Sequence, residues 1–171
     1  MTAPLVLVHG AWHDGAGFSM LQEELEKLGI PSHTVELTSV ATEDQPIGDM
    51  YRDAELVRKT VDAIGRDCIV LGHSYGGLSL TEGLVGAKNV KGLIFLTAFV
   101  LDQGETLFAA CGSVDPVWWR RNAENTRLTA DTPVDVFYNT TPKEIAEKAA
   151  RSEEHTSELQ SPDHLVCRLL L

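Results

Sequence analysis

Apolar residues recur along this chain in two alternating rhythms. Leu5-Val6-Leu7-Val8 is an unbroken β-prone run, the mark of a strand buried on both faces. Phe18, Leu21, Leu25 and Leu28 then follow at helical spacing among Glu23, Glu24, Glu26 and Lys27, with Gly29 at the C-cap position. His33 to Leu37 predicts a second strand, and a polar loop runs on through Pro46. Met50, Ala54, Val57, Val61 and Ile64 form the apolar stripe of a helix closing at Gly65. Cys68 to Leu71 predicts a strand, Ser74 to Val85 a helix, and Val90 to Phe99 another strand. Strands and helices alternating in this way predict a mostly parallel sheet with helices on both faces.

Beyond Phe99 the rhythm breaks into an aromatic, irregular region containing Trp118, Trp119, Phe137 and Tyr138, with no strand pattern. Thr141-Pro142-Lys143-Glu144 marks a helix start, with Thr at the N-cap, Pro at the first helical position and Glu completing a capping box. The expected organisation is a core over residues 1–99 and a small helical cap over residues 100–150. No internal repeat is present.

Composition narrows the class. A chain of 171 residues, 43% hydrophobic, suffices for one domain with a real core. The net charge of −11, with basic residues scattered, argues against nucleic acid or an anionic membrane as partner. No basic n-region precedes the short apolar run at the start, and no span approaches bilayer length, so the expectation is a cytoplasmic protein. Cys68, Cys111 and Cys167 show no metal-ligand spacing and read as reduced thiols; no metal is expected.

Gly72-His73-Ser74-Tyr75-Gly76 follows an apolar strand and opens a helix, the context that gives a G-x-S-x-G pattern meaning. A strand turning sharply into a helix strains its central residue and brings the positions two before and two after together. Only small side chains fit there, and Gly72 and Gly76 supply them. The turn exposes the Ser74 hydroxyl as a nucleophile and aims the Tyr75 N–H at a reacting carbonyl. A plain glycine-rich turn with an idle serine is the bland alternative. The second oxyanion donor belongs in the turn after the first strand, His9-Gly10-Ala11-Trp12, where the Ala11 N–H is the candidate and Gly10 leaves room for substrate. That turn matches neither phosphate-loop pattern.

Val6-Leu7-Val8-His9-Gly10-Ala11-Trp12 together with Gly72-His73-Ser74-Tyr75-Gly76-Gly77 resembles the small α/β-hydrolases of the hydroxynitrile-lyase and plant methylesterase type. Gly104-Glu105-Thr106 and Val136-Phe137-Tyr138-Asn139 are similar to the same branch. The resemblance, over about residues 4 to 150, implies an α/β-hydrolase fold and cofactor-free action on a small-molecule ester, cyanohydrin or related carbonyl compound. Lyases of this type carry a hydroxyl-bearing residue where this chain has Gly10, so ester hydrolysis is favoured. A small-molecule receptor without turnover is the third reading.

A triad in this fold runs Ser, then acid, then His. After Ser74 the histidines are His155 and His164, both in a tail that resembles the conceptual translation of a sequencing-library adapter. Residues 151–171 are therefore expected to be non-native, with the fold truncated before its last strands and the triad acid and histidine missing. An open sheet edge after Phe99 and poor solubility follow. Asp102, after the strand that follows the nucleophile, is an alternative acid against a turn-capping role, with Glu105 weaker. His73 and His9 read as structural residues. Trp12, His13 and Trp118 are candidates for the substrate pocket, with Trp119, Phe108, Phe137 and Tyr138; packing of the cap is the competing role.

Overall fold

The computed structural model describes residues 2–41, 48–101, 105–123, 127–152, 156–158 and 168–169. The predicted Leu5–Val8 run is strand β1. It pairs in parallel with β2 (Ser32–Val35) on one side and β4 (Cys68–His73) on the other, and β5 (Val90–Leu96) pairs in parallel with β4. The order is β2-β1-β4-β5.

All four residues of β1 are buried, and their alternation divides the core. Leu5 and Leu7 pack with Phe18, Leu25 and Leu71 under helix α1 (Ser19–Lys27). Val6 and Val8 pack with Val57 and Val61 of α2 (Met50–Ile64) and Leu78 and Leu80 of α3 (Gly76–Gly83). The sheet therefore carries helices on both faces, and each of these buried side chains contributes up to about 1.5–3 kcal/mol of transfer free energy.

The helix ends follow local chemistry. The Asp49 carboxylate accepts the Arg52 N–H at 2.8 Å, and Gly65 closes α2 in the left-handed region at φ 64°. Several elements are shorter than their patterns, and for two of them the backbone shows why. The helix expected from Ser74 starts at Gly76, because Ser74 itself is left-handed, and β5 stops at Leu96 because Thr97 takes φ 43°.

The region after β5, expected as a small helical cap, carries short strands among its helices. It contains β6 (Glu105–Thr106), α4 (Leu107–Ala110), a hairpin of β7 (Trp119–Arg121) and β8 (Arg127–Ala130), then α5 (Pro133–Phe137) and α6 (Lys143–Ser152). The hairpin pairs Trp119 with Ala130 and Arg121 with Leu128. Its strands are three and four residues long and mostly exposed or half-buried, so no period-two apolar pattern marks them. Backbone pairing and the ion pairs Arg120–Asp131 and Arg121–Asp115 hold it instead. Within residues 151–171, β9 (Thr156–Glu158) lies antiparallel to both β8 and β3 (Val40–Ala41), and β10 (Arg168–Leu169) pairs with β6.

Among the described residues no strand pairs with the outer edge of β5. Leu93, Ile94 and Leu96 are 42%, 43% and 45% exposed, and nearby Val100 is 56% exposed. Adjacent residues of a strand point to opposite faces, so Leu93 and Ile94 leave apolar surface exposed on both faces, whereas parallel strands are ordinarily covered on both. No helix among the described residues is long and apolar enough to cross a membrane.

The bare edge predicts self-association of the 171-residue chain. Light scattering across a concentration series is expected to show rising apparent mass, and Ile94→Lys to lower it; a chain that stays monomeric throughout would contradict the exposed edge.

Candidate active site

Ser74 sits where β4 runs into α3, at φ 52°. A non-glycine residue there costs on the order of 1–3 kcal/mol and persists only when its surroundings over-determine it. They do so here. The Ser74 carbonyl accepts from the Gly77 N–H at 3.1 Å and the Phe99 N–H at 3.2 Å, and the Ser74 N–H donates to the Leu96 carbonyl at 3.3 Å. Both backbone groups of Ser74 are thus tied to the end of β5 or just beyond it.

The glycines are explained by contact. A Cβ on Gly76 would lie 2.5 Å from the Val8 carbonyl oxygen and 2.7 Å from that of His9, and a Cβ on Gly72 would meet the Gly76 and Gly77 backbone at 3.0 Å. A Cβ on Gly10 would stand 2.9 Å from the Ser74 Cβ and 3.2 Å from His73 Nδ1. The turn after β1 and the elbow therefore touch backbone to backbone, which places Ala11 and Tyr75 on the two segments that converge at Ser74.

Two buried polar side chains register these segments against Leu37, Thr38 and Ser39, which follow β2. The His9 imidazole, 2% exposed, accepts the Leu37 N–H on Nε2 at 3.0 Å. Its Nδ1–H therefore donates to the Gly10 carbonyl at 2.9 Å, and the ring is neutral. Burial holds His9 below the ordinary imidazole range, against opposing pulls from the Gly10 carbonyl and Glu36. Asp53, wholly buried on α2, accepts the Thr38 N–H at 2.6 Å, the Thr38 hydroxyl at 2.9 Å and the Ser39 N–H at 3.1 Å on one oxygen. Its other oxygen accepts the Tyr75 hydroxyl at 3.0 Å. Sequence reasoning missed Asp53, although a signal existed: it stands on the apolar stripe of α2, one turn from Met50 and from Val57.

The aromatic residues form a cluster over the first turn. Trp12 is 7% exposed at φ 64°, and its indole N–H donates to the Leu128 carbonyl at 2.9 Å, bracing the β7–β8 hairpin. Trp118 lies edge-on to Trp12 at 5.4 Å and to Phe137 at 5.3 Å. His13 donates from Nδ1 to the Ala11 carbonyl at 2.6 Å, accepts the Tyr138 hydroxyl on Nε2 at 3.3 Å, and lies edge-on to His73 at 5.7 Å. The first turn, the elbow histidine and the cap thus meet beside Ser74, with Trp12 beneath the cap and Trp118 half-buried.

Among the described residues no histidine hydrogen-bonds the Ser74 hydroxyl, and no group of three or more His, Cys, Asp or Glu is placed to hold a metal ion. Asp102, Gly104, His155 and His164, and the side chains of Glu105 and Phe108, lie outside what the structure describes.

The family model described as the Alpha/beta hydrolase family matches residues 5–166, and the chain belongs to that family. A carbendazim hydrolyzing esterase of Nocardioides sp. (strain SG-4G) is 34% identical over 113 residues, 63% of this chain and 46% of its own length. The crystal structure of a pyrethroid hydrolase from Sphingobium faniae JZ-2 is similar with a TM-score of 0.71 at 26% identity, covering 84% of this chain and 64% of that one. Tomato methylketone synthase I shares the fold, with a TM-score of 0.81 at 15% identity over 100% of this chain and 73% of that one. The chain spans about half the length of the first curated relatives it matches.

The His9 pairing has a sign in pH. Because the folded-state pKa is lowered, the unfolded chain takes up a proton first on acidification; this contribution to stability is complete above about pH 6.5 and is lost as pH falls below it. Urea unfolding of His9→Asn is expected to show a smaller loss of stability between pH 7.5 and 5.5, on the order of the histidine's reference pKa, than the unsubstituted chain. Equal pH dependence in both would remove His9 from this role.

Proposed function

We propose that the intact parent of this chain is a serine hydrolase of small, largely apolar carboxylic esters, working through an acyl-enzyme at Ser74. The observation that carries this reading is the left-handed Ser74 at a strand-to-helix turn, its backbone groups tied to the end of β5 and the Gly10 turn packed against it. Strain of this kind at an exposed-end turn is what a nucleophile needs to stand clear of its own helix. Attack by the Ser74 hydroxyl turns the ester carbonyl into an oxyanion, which the N–H groups of Tyr75 and Ala11 receive. Collapse expels the alcohol, and water releases the acyl group. The carbendazim esterase and pyrethroid hydrolase among its relatives support an ester as the substrate class.

A serine needs a base, and the base needs a carboxylate to fix its tautomer. In this reading both follow the cap in the parent, and residues 151–171 are foreign to it, so the 171-residue chain is inactive. Gly10 counts against cyanohydrin cleavage, because it leaves no hydroxyl there to hold a cyanohydrin oxygen.

The parent protein, its reading frame followed past Ala150, is expected to hydrolyse p-nitrophenyl acetate, and Ser74→Ala to lower kcat by about 10⁴- to 10⁶-fold. The 171-residue chain is expected to sit near the level of that variant. Turnover that survives Ser74→Ala overturns the mechanism, and turnover by the 171-residue chain at the parent's rate overturns the account of the missing base.

A further inference from the structure

Three successive backbone N–H groups after β2 are all given to buried side chains, and those side chains belong to the two halves of the site. Leu37 donates to His9, on the segment that leads through Gly10 to Ala11. Thr38 and Ser39 donate to Asp53, whose second oxygen holds the Tyr75 hydroxyl. The stretch Leu37–Ser39 is therefore a common reference for both segments. Leu37 and Ser39 are 3% and 8% exposed, so water has little access to compete for these bonds.

Asp53 is not a cap or a surface charge. It is wholly buried on the inner face of α2, where the chain backs directly onto α3: a Cβ on Gly83 would lie 2.3 Å from the Ala54 carbonyl oxygen. A buried carboxylate is costly unless its lone pairs are met, and four donors from three residues meet this one. The ring of Tyr75 is already placed by core packing against β1 and α2. Its hydroxyl adds a directional tie at the far end of the side chain, and the near end is the residue that follows the nucleophile.

We propose that Asp53 is a positioning residue for the reaction at Ser74: through the Tyr75 hydroxyl and the Thr38 and Ser39 N–H groups it fixes where the Tyr75 backbone N–H stands relative to Ala11. The proposal rests on the reading of Ser74 as nucleophile and of Ala11 and Tyr75 as oxyanion donors. Two donors stabilise an oxyanion only when their separation and aim match it, and that separation is what the Leu37–Ser39 reference sets. Asp53 touches no substrate and exchanges no proton in the reaction; its effect falls on the transition state, hence on kcat rather than on KM.

The test uses the parent protein with p-nitrophenyl acetate. Tyr75→Phe removes only the hydroxyl and keeps the ring in the core, so it severs the tie without emptying the site. Tyr75→Phe and Asp53→Asn are each expected to lower kcat by about ten- to a hundredfold with KM within about twofold, the size of effect that small misplacement produces. The double variant is expected to lose no more than the worse single one, because both substitutions cut one link. Asp53→Glu, which keeps the charge with a longer reach, is expected to recover part of the Asp53→Asn loss. A folded Tyr75→Phe protein with unchanged kcat overturns the proposal. So do losses that multiply in the double variant, or losses confined to KM. Ser74→Ala run alongside separates the two levels: turnover surviving that substitution overturns the nucleophile reading and this proposal with it, whereas its loss together with a normal Tyr75→Phe rate overturns the positioning role alone.

Discussion

The backbone of the elbow lies directly on the backbone of the first turn, and most of the site's geometry follows from that contact. Gly76 stands against the carbonyls of Val8 and His9, and Gly10 stands against Ser74. Neither approach has room for a methyl group. Close approach brings two loops from different strands together at Ser74, which holds a left-handed conformation that its own side chain disfavours. The strain is not relieved by relaxation of the turn, because the end of β5 and the residues just past it take up both backbone groups of Ser74.

A contact between two loops needs a third body to set its register. Leu37 to Ser39 performs that task through polar groups in the interior, His9 toward the first turn and Asp53 toward the elbow. Apolar packing of Tyr75 holds its ring, and the bond from its hydroxyl to Asp53 adds a directional constraint that packing does not supply. The aromatic cluster extends the same logic outward. Trp12 carries the β7–β8 hairpin on its indole N–H, and His13 bridges the Ala11 carbonyl and the Tyr138 hydroxyl, so the cap is fastened to the turn beside Ser74.

Much of this is legible in the sequence. The β1 run, the α2 stripe with its Gly65 stop and the elbow glycines each carry a local signal whose physics is self-contained, and the strand, helix and turn stand where those signals put them. The β7–β8 hairpin was not legible, because strands of three and four residues around charged arginines show no alternation. Asp53 was legible in part: a carboxylate on an apolar stripe announces a buried partner but cannot name Tyr75, which is 22 residues away in sequence. The exposed apolar surface of β5 belongs to the same class, since Val90 to Leu96 reads like any covered strand and only the sheet order shows that no further strand pairs with it among the described residues.

The central claim is that Ser74 is an activated nucleophile in the parent protein, and labelling with a fluorophosphonate followed by peptide mass spectrometry tests it most directly. The account predicts one phosphonyl adduct, on the peptide containing Gly72-His73-Ser74-Tyr75-Gly76, blocked when a substrate ester is present in excess. An unlabelled elbow in a folded parent protein, or an adduct on another serine, would contradict it.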